Sequence, residues 1–192
     1  RKAKYDLDQN DLKPYLQLEK LREGMFWVAG EIFHLGFRQV NNVPVFHPDV
    51  RVWEVYNKDT NKIVGVWYFD PYARKGKRSG AWMNATREQS RVNGDVITIV
   101  SNNCNFIKGK DGEPILISWD DAITLFHEFG HALGLEHSDE PDSVMYYAVA
   151  RGPARKSLTK KDIDIIESRY KWDSNVCRYD PEVGMIWNIE HN

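Results

Sequence analysis

Residues 127–137 read HEFGHALGLEH, which puts three histidines and two glutamates into eleven positions. His127 and His131 are four apart, so on a helix they project from one face, a turn from each other. Two imidazoles so placed reach a single zinc ion at about 2.0–2.1 Å each. Glu128 is rotated about 100° round the axis from His127, where its carboxylate meets a metal-bound water rather than the metal. Gly134 permits a sharp turn, and His137 returns toward the same point three residues later. The full pattern is HExxHxxGxxH: three neutral imidazoles, a carboxylate base and one open position for water. A lone HExxH arises on helices by chance, whereas here five fixed positions each have a separate task. Glu136 is left over and reads as a surface residue on the turn.

The surrounding pattern predicts the elements that carry this motif. Ser118 and Asp121 are spaced as a capping box, and Asp120 and Asp121 add negative charge to the first turn, so a helix is expected from about Asp120 to Leu133. Upstream, Leu18, Leu21, Met25, Val28, Ile32 and Leu35 recur at helical spacing and predict a helix over 11–37. NNVPVFHPD then breaks regular structure with two prolines. From Val50 the period changes to two, and VRVWEVY and KIVGVWYFD flank NKDTN as a β-hairpin. DPYARKGKRSG reads as a solvated basic loop, and GAWMNAT and DVITIVSNN as two further strands. Downstream, Thr159 and Asp162 propose a cap for a last helix faced by Ile163, Ile166 and Tyr170; the tail beyond Asp173 has no clear period.

Composition narrows the class without naming a function. A chain of 192 residues with 42% hydrophobic and 28% charged residues is ordinary globular material for one domain or one domain plus an appendage. The net charge of −2 is interleaved, which argues against nucleic acid and anionic lipid as partners, and no apolar run approaches the ~20 residues of a membrane span. Arg1 opens the chain without a Met or a signal-like stretch, as an excerpt or processed product would. Compartment is therefore unreadable from the N-terminus. Cys104 and Cys177 make no disulfide framework, and two free thiols are the simpler reading against a single bridge. Asp139, Glu140 and Asp142 form an acidic loop, read as solvated rather than as a calcium site.

Two family resemblances meet inside the motif. YDLDQNDLKPYLQLEKLREGMFWVAG, DVRVWEVYNKDTNKIVGVWYFDPYARKGKRSGAWMN, NNCNFIKGKDG and LFHEFGHAL resemble the thimet oligopeptidase and peptidyl-dipeptidase family over about residues 5–133. That resemblance implies a gluzincin, whose third zinc ligand is a Glu on a later helix; Glu167 in IIESRY is the candidate here. HEFGHALGLEHS, SVMYY and SLTKKDIDIIESRY, over 127–172, resemble the matrixin-like metzincins, which implies His137 as third ligand and a Met-turn at Met145. Tyr147 falls where astacins and serralysins carry a tyrosine near zinc; a packing role is the alternative. The join suggests a natural recombinant or a chimera.

Together these readings predict an α+β zincin-like metallopeptidase. A twisted mixed sheet with an N-terminal helix and the active-site helix would occupy residues 1–134, and a small subdomain with third ligand, Met-turn, final helix and tail residues 135–192. The expected function is a zinc-dependent endopeptidase with one Zn²⁺ per chain on His127, His131 and His137, and Glu128 as general base to a zinc-activated water. Gly80, Ala81 and Trp82, in the strand matching that of the oligopeptidases, would bind substrate backbone as an added strand, a plain sheet strand being the alternative. The substrate would be a peptide or unfolded protein and the chain a monomer. It would be cytoplasmic if the oligopeptidase resemblance dominates, and secreted if the matrixin one does. A zinc-binding domain with little or no catalysis is the competing function.

Overall fold

β-branched and aromatic residues alternating from Val50 onward form the hairpin that starts the sheet. In the computed structural model, which describes residues 12–90, 92, 94–110, 112–147, 160, 177–180 and 184–187, the strands are β2 (Arg51–Asn57) and β3 (Ile63–Tyr72). They pair antiparallel with Trp53 opposite Trp67. The turn holds because the Asn57 side chain accepts hydrogen bonds from the backbone N–H groups of Asp59 and Thr60, at 3.1 and 2.8 Å, while Asn61 takes a left-handed φ of 54°.

Three more strands complete a mixed five-stranded sheet of order β1-β2-β3-β5-β4. β1 (Leu35–Val40) pairs antiparallel with β2, β5 (Thr98–Phe106) lies parallel to β3, and β4 (Trp82–Arg87) pairs antiparallel with β5 at the edge. Two helices, α1 (Leu18–Phe33) and α2 (Trp119–Ala132), pack against it. The architecture is α+β, as the sequence predicts.

The first helix is shorter than its hydrophobic period suggested. It begins at Leu18, after a 3-10 turn at Lys13–Tyr15, and stops at Phe33, where His34 turns left-handed at φ 50°. Leu35 and Phe37, read as helical, belong to β1. Gly36 explains the switch: a Cβ there would overlap the Tyr56 ring on the neighbouring strand, so this point is built for close strand approach. Tertiary pairing overrode the local period.

An aromatic cluster seats both helices on one face of the sheet. Phe26 of α1 stacks on Phe37 with ring centroids 4.0 Å apart and meets Trp53 and Trp67 edge-on at 5.6 and 5.4 Å. Phe129 of α2 meets Trp67 edge-on at 5.6 Å. Such pairs are worth about 0.5–1.5 kcal/mol each beyond the area they bury. The starts of the two helices are also tied, because Leu18 N–H donates to Ile115 C=O and Ile117 N–H to Leu16 C=O, at 2.9 and 3.0 Å.

These elements belong to the first of two units, residues 1–133; the second comprises residues 134–192. In the second, Ser138 N–H donates to Met145 C=O at 2.8 Å and Tyr147 N–H to Ser138 C=O at 3.2 Å, closing a loop. The aperiodic tail contains an antiparallel pair, β6 (Cys177–Asp180) and β7 (Gly184–Trp187). The expected last helix, with Thr159, Asp162, Ile163, Ile166, Glu167 and Tyr170, lies outside the described residues. No described helix is long and apolar enough to cross a membrane.

Glu19 ties α1 to β2. Burial alone would raise its pKa, but hydrogen bonds and charge from Arg51 (2.7 Å) and Arg22 (3.1 Å) outweigh it and hold the carboxyl below its ordinary 4.5. A lowered folded-state pKa means the native chain binds fewer protons here than the unfolded one, so the contribution is present above pH 4.5 and lost as pH falls through the lowered value. Thermal midpoints of wild type and Glu19→Gln should therefore differ at neutral pH and converge in acid. A constant gap across that range would remove Glu19 as the titrating group.

Candidate metal centre

Helix α2 starts as the capping box requires. Ser118 Oγ accepts from Asp121 N–H at 3.0 Å, and Asp121 Oδ2 accepts from Ser118 N–H at 3.3 Å. The helix ends at Ala132, and Gly134 follows at φ +89°, the left-handed conformation expected of it. Between these ends His127, Glu128 and Phe129 are all buried, and Phe129 meets the sheet at Trp67. Burying an imidazole and a carboxylate here is expensive unless both are given partners.

His127 and His131 converge as their spacing predicts. Their Nε2 atoms stand 3.1 Å apart and the rings are nearly perpendicular, at 88°. Two nitrogens each about 2.0–2.1 Å from one tetrahedral zinc are separated by roughly 3.3 Å, so the pair fits such an ion. His127 is buried and His131 half-buried, which leaves the second ring an approach from solvent. Without a metal, the same separation serves a hydrogen bond from one ring N–H to the bare nitrogen of the other.

Glu128 is 8% exposed, and its backbone is held from the sheet. Asn102, wholly buried on β5, donates from Nδ2 to the Glu128 carbonyl at 2.6 Å, and its Oδ1 accepts from the Trp67 indole N–H. Neither Asn102 nor Trp67 was singled out by sequence reasoning. The available signal was three asparagines in SNNCNF, a run otherwise expected to be apolar in a central strand.

The basic loop before β4 also differs from its solvated reading. Asp70 is 1% exposed and pairs bidentately with Arg74 at 2.6 and 2.9 Å. Lys77 is buried against it: Nζ lies 3.1 Å from the carboxylate and donates to the carbonyls of Asp70 and Tyr72 at 2.8 and 2.9 Å. Burial pulls the Lys77 pKa down, against the opposing pull of Asp70. β4 itself begins at Trp82 rather than Gly80, because Gly80 sits at φ +86°. Gly80 is exposed, and Ala81 and Trp82 are half-buried.

The remaining candidates lie in the second unit. Met145 is fully buried, with its N–H donating to Ser143 Oγ at 2.8 Å. Tyr147 is 61% exposed, against Tyr146. His137 is exposed, three residues beyond Gly134.

Residues 1–151 match peptidase family M3. The chain belongs to that family. It is 47% identical over 134 residues to a dipeptidyl carboxypeptidase of Salmonella typhimurium and 40% identical over 135 residues to oligopeptidase A of Escherichia coli. A probable thimet oligopeptidase of Arabidopsis thaliana is 28% identical over 131 residues. The first two matches cover 69% of this chain but 19% of the relative, so the chain spans about a fifth of the length of these relatives. The family match runs past Gly134, beyond the end of the oligopeptidase resemblance read from sequence.

Cys104, beside this site on β5, is a free and wholly buried thiol. Burial, with the Glu128 charge adding to it, pushes its pKa up to about 12. In a Cys177→Ser variant at pH 8, a disulfide-exchange reagent should label almost no thiol until the chain is denatured. Rapid labelling of the native protein would contradict the burial of Cys104.

Proposed function

We propose that this M3 chain is a zincin-like zinc metallopeptidase hydrolysing internal bonds of extended peptides or unfolded chains, as a monomer with one Zn²⁺. The observation that carries the reading is the Nε2 separation of 3.1 Å between His127 and His131 on a helix that buries Glu128 between them in sequence. His137 is the third ligand in this proposal, supported by the HExxHxxGxxH spacing and the positive φ of Gly134. Bound zinc would supply Lewis acidity, polarising the scissile carbonyl and acidifying water to a pKa near about 7.

The chain's own residues supply the rest. The Glu128 carboxylate takes the proton of the attacking water and returns it to the leaving amine. β4, the last strand of the sheet among the described residues, takes an extended substrate as an added strand, with Gly80 and Ala81 leading into it and Trp82 at its start. Met145 forms an apolar support for the imidazoles, and Tyr147 lends its hydroxyl to the developing oxyanion. The matrixin-like resemblance of residues 127–172, as natural recombinant or chimera, underlies these last roles.

The oligopeptidase resemblance of the sequence implies a second ligand set, with Glu167 in place of His137. Metal content by mass spectrometry separates the two: His137→Ala should lose zinc or hold it far more weakly, while Glu167→Gln keeps about one per chain. The opposite pattern would move the third ligand to Glu167. Glu128→Gln should keep zinc and lose hydrolysis by two orders of magnitude or more, general acid–base catalysis contributing about 10²–10⁴-fold. Zinc binding in a wild type that hydrolyses nothing would establish the alternative, a zinc-binding domain without catalysis. Product masses from a peptide with an amidated C-terminus distinguish internal cleavage from the C-terminal release that the name of the Salmonella relative describes.

A further inference from the structure

The asparagines of β5 each donate a side-chain hydrogen bond to a backbone carbonyl of a neighbouring element. Alternation along the strand sends Asn102 to the opposite face from Asn103 and Asn105. Asn102 reaches the carbonyl of Glu128, the residue proposed as base. Asn105 donates from Nδ2 to the carbonyls of Arg78 and Gly80, at 2.8 and 2.6 Å, and Asn103 reaches the Trp82 carbonyl at 3.3 Å. One strand thus grips the helix carrying the base and the entry to the strand proposed to bind substrate.

Neither grip is needed to satisfy the groups it holds. Glu128 lies inside α2, where its carbonyl already has a helical partner, so the Asn102 bond uses the second lone pair. Arg78 and Gly80 are exposed, and water would satisfy their carbonyls as well. The orientation of Asn102 is nevertheless forced. The Trp67 indole only donates and a carbonyl only accepts, so Oδ1 must face Trp67 and Nδ2 must face Glu128. A buried amide is costly unless both ends are bonded, and an apolar residue would fill the same space more cheaply. What the amide adds is geometry.

We propose that Asn102 and Asn105 are separate positioning residues: Asn102 places the Glu128 carboxylate for proton transfer, and Asn105 places the Gly80–Trp82 backbone for substrate. This rests on the roles proposed above for Glu128 and the β4 edge. A merely structural role would lower stability and damage both kinetic constants together. Positioning predicts that the two constants come apart.

The test uses the full zinc-loaded chain and a quenched fluorescent peptide. Asn102→Leu should lower kcat by about a hundredfold, the usual effect of misplacing a catalytic group by about 1 Å, with KM and zinc content little changed. Asn105→Asp, which keeps the size but removes the donor, should raise KM about tenfold with kcat and zinc content little changed. If Asn102→Leu does not fold, Trp67→Phe/Asn102→Leu removes both polar partners at once and leaves no orphaned indole N–H. Wild-type constants in both variants, or parallel changes in kcat and KM in both, would overturn the proposal. Loss of its basis has a different signature: a zinc-loaded wild type that does not hydrolyse the peptide, or full hydrolysis by Glu128→Gln.

Discussion

Trp67 is the residue on which the placement of the candidate centre depends. It is 1% exposed, and its ring packs on Trp53 of β2, Phe69 of its own strand, Phe26 of α1 and Phe129 of α2. Its indole N–H fixes the one rotation of Asn102 that can reach the Glu128 carbonyl. Apolar packing alone would let α2 slide or roll by fractions of an ångström, since dispersion is weakly directional. The hydrogen-bonded chain from Trp67 through Asn102 to Glu128 removes that freedom at the residue where it matters most.

The opposite side of β5 is organised by polar bonds rather than packing. Asp70, Arg74 and Lys77 knot the end of β3 to the loop before β4, and Asn105 continues the knot to Gly80. A buried ion pair of this kind is weak evidence for added stability, because desolvation offsets much of its Coulombic gain. Its effect is on definition: the loop has one arrangement in which Lys77 satisfies a carboxylate and two carbonyls at once. The edge strand therefore starts from a fixed point.

How much was legible depended on how local each signal was. The capping box at Ser118, the left-handed Gly134, the hairpin around NKDTN and the convergence of His127 with His131 were all visible, because each is decided within a few residues by hydrogen-bond geometry or helical pitch. β1 was hidden because Leu35 and Phe37 continue a helical period by chance, and only the Tyr56 ring across the strand pair shows why Gly36 ends it. Lys77 was hidden because a lysine among basic residues and glycines gives no hint of a buried carboxylate to meet.

By itself, then, the sequence determined the helix that carries His127 and His131, its two ends and the face from which the two histidines project, since the pitch of an α-helix is the same in any protein. It also determined the peptidase family M3 relationship, carried by residues 1–151. Tertiary structure alone decided the strand order that puts β5 between β3 and β4, and so made Asn102 and Asn105 neighbours of the helix and of the edge. Those bonds join positions 25 or more residues apart, and no local propensity or period encodes partners at such distances.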